Sequence, residues 1–118
     1  MLTRVRRFLR YVVGTRFIDI EDESPGRLEL RYGRTRTVFD KGSARVHQDG
    51  KFAGVFAAID RIELHQPMNQ DGPPNWFITV QLQGMRQIEV GKVTDQTDAS
   101  LIGARIATIT SRPVVVKP

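Results

Sequence analysis

Trp76-Phe77-Ile78-Thr79-Val80-Gln81-Leu82-Gln83 decides the fold class of this chain. Read with a period of two, it places Trp76, Ile78, Val80 and Leu82 on one face and Thr79, Gln81 and Gln83 on the other. That is the pattern of a β-strand with one buried face. Gly84-Met85 then turns the chain into a second alternating stretch, Arg86–Gly91, with Ile88 and Val90 inward.

Working towards the N-terminus, the same period recurs. Asp60-Arg-Ile-Glu-Leu-His65 points Ile62 and Leu64 inward, and Arg27-Leu-Glu-Leu-Arg-Tyr32 does the same with Leu28, Leu30 and Tyr32. Phe17–Glu21 places Ile18 and Ile20 on one face, before a turn at Glu23-Ser-Pro-Gly26. Thr35–Asp40, Ala44–His47 and Phe52–Phe56 are shorter strands, the last two joined by Asp49-Gly50, a pair that tolerates the positive φ of a tight hairpin. Between His65 and Trp76 lies the segment 66–75, whose three prolines and one glycine exclude regular structure. Successive strands with tight connections predict an antiparallel meander.

Beyond Gly91 the period becomes helical. Ala99, Ile102, Ile106 and Ile109 follow 3-4-3 spacing, widened by Leu101 and Ala104. Thr94-Asp95 is an N-cap pair, Asp98 suits the positive end of the helix dipole, and Pro113 terminates a helix over about 95–111. Gly103 costs a helix about 1 kcal/mol relative to alanine, which predicts close packing at that point. Val114–Val116 is expected either to join a sheet edge or to remain loose.

The 118 residues make one domain, residues 17–118, behind a leader over 1–16. A hydrophobic fraction of 40% and a charged fraction of 26% are ordinary for a globular protein. With no cysteine, disulfides, cysteine-ligated zinc and thiol catalysis are excluded. The longest near-apolar run, Phe52–Ile59, falls far below the roughly 20 residues of a membrane span. A cytoplasmic protein is expected, with the inner face of a membrane as an alternative site of residence.

The leader holds Arg4, Arg6, Arg7, Arg10 and Arg16 and no acid, while the remaining thirteen basic and thirteen acidic residues cancel, so the formal charge of +5 belongs to the leader. On a helix, Leu2, Val5, Phe8, Leu9, Val12 and Val13 would occupy an arc of roughly 140° opposite most of the arginines. Such a stripe needs a surface. The choices are this domain or a second copy, an anionic membrane, or, least of all, nucleic acid.

The strand order, Ile59-Asp-Arg-Ile-Glu-Leu64 with its long following loop, Trp76–Leu82 paired with Ile88–Val90, and Thr94-Asp95 opening the closing helix resemble a pleckstrin-homology-like domain, particularly the bacterial kind. The resemblance covers Phe17 to Val116. It implies a mainly β fold: a partly open barrel of two orthogonal antiparallel sheets, about seven strands, capped by the C-terminal amphipathic helix. Family members that bind phosphoinositides use basic residues in the first interstrand loop. Here Glu21-Asp-Glu-Ser-Pro-Gly26 is acidic, and phosphoinositide recognition there is not expected.

Catalysis finds little support. His47 and His65 have no metal-ligand spacing, and Ser43 and Ser100 have no nucleophile motif. Gly42, Gly50 and Gly54 lack phosphate-loop spacing, and the acidic cluster Asp19, Glu21, Asp22 and Glu23 reads as a solvated turn before it reads as a weak calcium site. No cofactor or metal is expected. The expected function is a non-catalytic binding or scaffold module for a protein partner or for self-association. It would act through the leader (Arg4, Arg6, Arg7, Phe8, Leu9, Arg10 and Val12) or the 66–75 loop (Met68, Pro73 and Pro74). A membrane-anchored peripheral protein is the alternative, and an enzyme with an unrecognised site the third.

Overall fold

A computed structural model of the chain describes residues 17–67 and 75–117. The alternating stretches all form strands. The first sheet contains β1 (Ile18–Ser24), β2 (Arg27–Tyr32), β3 (Thr35–Asp40), β4 (Arg45–Gln48) and β5 (Lys51–Val55), hydrogen-bonded antiparallel in that order. A 3-10 turn at Phe56–Ala58 leads to β6 (Ile59–His65), followed by β7 (Trp76–Leu82) and β8 (Arg86–Val93). Helix α1 (Gln96–Thr110) and β9 (Val114–Lys117) close the chain, and the second sheet runs β8-β7-β6-β9.

The described residues are therefore mainly β, with two sheets and one C-terminal helix, as the pattern predicts. Its sheets face each other as an open sandwich and do not close into a barrel. The described residues form nine strands, against the expectation of about seven. The tail is not loose: β9 lies parallel to β6, pairing Ile62 with Val114 and Leu64 with Val116, so the second sheet is not wholly antiparallel. A parallel neighbour is possible because α1 provides the crossover that parallel pairing requires.

The inward residues named from the sequence form one core. Ile18, Ile20, Leu28, Leu30, Ile62, Leu64, Trp76, Ile78, Val80, Leu82, Ile88 and Val90 are all buried, and Phe39, Val46, Ile59 and Val93 join them. Helix α1 covers this core with Ala99, Ile102, Ile106 and Ile109, whereas Ala104 is exposed, narrowing the predicted apolar face. Asp95 caps the helix, its Oδ1 accepting from Thr97 N at 3.0 Å. Gly103 meets Leu64 closely: an added Cβ would lie 3.1 Å from Leu64 Cδ2. Asp49 and Gly50 take φ of 54° and 80°, the conformation that the hairpin reading required. Across the sandwich, Gln48 Nε2 donates to Thr37 Oγ1 at 3.1 Å and to the Glu89 carbonyl at 2.7 Å, which ties β3 and β4 to β8.

Several strands differ in extent from their sequence pattern: β8 runs two residues past Gly91 to Val93, β4 and β5 shift by one residue, and β1 changes most. The alternation of the first strand ends at Glu21, yet β1 continues to Ser24 and only Pro25-Gly26 turns. A bulge between Ile20 and Asp22 shifts the register, so the alternation stops while the pairing with β2 continues.

Candidate functional site

The leader candidates Arg4, Arg6, Arg7, Phe8, Leu9, Arg10 and Val12, and the loop candidates Met68, Pro73 and Pro74, lie outside the described residues. Trp76, which borders the loop, is buried in the core at 7% exposure and anchors β7.

The acidic cluster is organised by arginines. Arg31 lies 3.6 Å from Glu21, Arg27 lies 3.1 Å from Asp22, and Arg105 on α1 lies 2.7 Å from Glu23. These carboxylates sit on a strand and are paired, so the acidic loop read from the sequence is neither a loop nor uncompensated charge. Among the described residues, no three histidines, aspartates or glutamates gather as metal ligands. His47 pairs with Val38 and Phe52 in the first sheet, and His65 pairs with Phe77 in the second, so the fold separates the two histidines. Ser43 Oγ donates to Asp40 Oδ2 at 3.1 Å and helps shape the β3–β4 turn. On the second sheet, Glu63 is buried and accepts from Arg61 Nε at 2.8 Å. That bond, with the smaller help of Asp60, raises the Arg61 guanidinium further above its ordinary range.

Two surfaces stand out. The first is an open groove of about 570 Å³ between α1 and the β1–β2 turn. Leu28, Pro25, Ala104 and Ile109 give it an apolar lining, and Glu23, Lys41 and Arg105 supply charge. The Glu23–Arg105 ion pair spans it, because β1 extends beyond its alternating segment and brings Glu23 against the helix. Lys41 is positioned by its backbone N–H, which donates to the Gly26 carbonyl at 2.9 Å.

The second surface is the edge at β5. Phe52 is 57% exposed, packs edge-on against His47 at 6.1 Å, and carries the Arg45 guanidinium 5.6 Å above its ring. Val55 pairs with Arg45, and Arg86 Nη2 donates to the Ala53 carbonyl at 3.2 Å. Beside Arg86, Met85 is 99% exposed. Neither surface was apparent from the sequence. The groove joins residues 82 apart in Glu23 and Arg105 and carries no local motif. Met85 did leave a trace, as a long apolar residue where turn chemistry favours glycine or asparagine.

No helix among the described residues is long and apolar enough to cross a membrane. No family model matches this chain, and no curated protein or solved structure matches it significantly.

Proposed function

We propose that this protein is a non-catalytic binding module of pleckstrin-homology-like architecture that receives a protein partner in the groove between α1 and the β1–β2 turn. The observation that carries the reading is the groove itself: its volume of about 570 Å³ is that of an ordinary ligand site, and its walls are a strand pair and a helix. Apolar side chains from the partner would cover the exposed Pro25 and Ala104 above the buried Leu28 and Ile109, removing that lining from water. A partner carboxylate would meet Lys41 and compete with Glu23 for Arg105, a charge-assisted contact that sets orientation. The leader and the 66–75 loop remain additional contact segments on sequence grounds.

Selection from a displayed random-peptide library against the full chain tests this. The expected peptides combine an acid with apolar residues, and lose binding to a Thr108→Arg variant that fills the groove but melts like the wild type. Peptides that ignore Thr108→Arg, or the recovery of none, would overturn the groove assignment.

A further inference from the structure

The β5 edge bears a protruding apolar and cationic corner that is separate from the groove. Met85 adopts φ 61°, a left-handed conformation that is unusual for a long unbranched side chain. It also projects almost entirely into solvent, so neither local geometry nor packing accounts for a methionine there. Two hydrogen bonds fix the turn that carries it: Gln83 N donates to the Ala58 carbonyl of the 3-10 turn at 2.9 Å, and Arg86 Nη2 donates to the Ala53 carbonyl of β5. Ala53, which Arg86 contacts, stands on β5 between the exposed Phe52 and Val55. Their cations are Arg45, Lys51 and Arg86, all exposed.

Two of the acids nearest in sequence hold turn hydrogen bonds, and a third, Glu89, is exposed three residues beyond Arg86. Asp49 Oδ1 accepts from Arg36 N, and Asp40 accepts from Gly42 N and Ser43 Oγ. Among the described residues, no acidic side chain forms an ion pair with Arg45, Lys51 or Arg86.

We infer that this corner docks on an anionic lipid bilayer, with Met85 and Phe52 entering the interface and Arg45, Lys51 and Arg86 among the headgroups. The apolar groups stand on a turn and a sheet edge, a convex arrangement that suits shallow insertion. Strand addition by a second copy is disfavoured, because Arg86 already occupies the Ala53 carbonyl on the β5 edge. Each cation near an anionic leaflet adds attraction that salt screens. The basic leader supplies charge of the same sign, and stable peripheral binding generally requires two such weak anchors.

Co-sedimentation of the full chain with phosphatidylcholine vesicles, with and without phosphatidylserine, is the test. Binding is expected only with phosphatidylserine and should fall as salt rises. Met85→Asn with Phe52→Thr should weaken it about tenfold, and Arg45→Gln with Arg86→Gln should flatten its salt dependence. Asparagine tolerates the left-handed conformation, so the first variant keeps its turn. Three results would overturn the inference: no binding to anionic vesicles, full binding by both variants while Arg4→Gln, Arg6→Gln, Arg7→Gln abolishes it, or variants that lose self-association and retain vesicle binding. Thr108→Arg should leave vesicle binding unchanged, which keeps this outcome distinct from failure of the groove.

Discussion

Gly91 of β8 rests on the ring of Tyr32 of β2: a Cβ at position 91 would lie 2.6 Å from Tyr32 Cγ, and 2.9 Å from Ile18 Cγ1. The two sheets approach through backbone at this point, and Gly91 has φ 150°, a region that side-chain-bearing residues avoid.

Gly91→Ala should therefore combine steric overlap with backbone strain. A loss of about 2–4 kcal/mol is expected, read as a lower midpoint in urea denaturation. A variant within about 0.5 kcal/mol of wild type would show that the sheets can separate here at little cost.

Met85→Asn should act in the opposite direction. Replacing a left-handed methionine that buries nothing with a residue that tolerates the conformation should stabilise the fold by about 0.5–1 kcal/mol. Differential scanning calorimetry reads this as a higher Tm. A lower Tm would mean that Met85 makes stabilising contacts.

Asp95→Ala removes the acceptor for Thr97 N at the start of α1. The expected cost is about 1 kcal/mol, with Asp95→Asn near wild type because asparagine also caps. Equal destabilisation by both would assign the effect to charge instead of the cap.

The Glu23–Arg105 pair should contribute to recognition more than to folding. Its side chains are 24% and 44% exposed, so a double-mutant cycle with Glu23→Gln and Arg105→Gln should give a coupling of about 0.2–1 kcal/mol that shrinks with added salt. A coupling several times larger, or one indifferent to salt, would make this pair a structural clasp.

The faces of the strands were legible because a half-buried strand writes its environment into alternate residues. Ile62, Leu64, Ile78 and Val80 show this. The continuation of β1 past Glu21 was not legible, since the bulge at Ile20–Asp22 breaks the alternation while the hydrogen bonds continue. Three neighbouring acids there look like a solvated turn until Arg27, Arg31 and Arg105 arrive from β2 and α1. Similarly, Val114–Val116 carries an apolar signal without a partner, and only the packing of α1 beside β6 selects parallel pairing.

The sequence by itself determined the local order of this protein: the strand faces, the Asp49-Gly50 turn, the capped helix and the close approach at Gly103. The strand faces, turn and cap depend on neighbours within a few residues, which periodicity and turn chemistry record directly, and Gly103 marks its close approach to Leu64 by standing inside a helix. The tertiary structure alone decided the open sandwich, the place of β9, the groove at Glu23 and Arg105, and the corner at Phe52 and Met85. These features join residues distant along the chain, and their physical cause is packing and charge pairing across the fold.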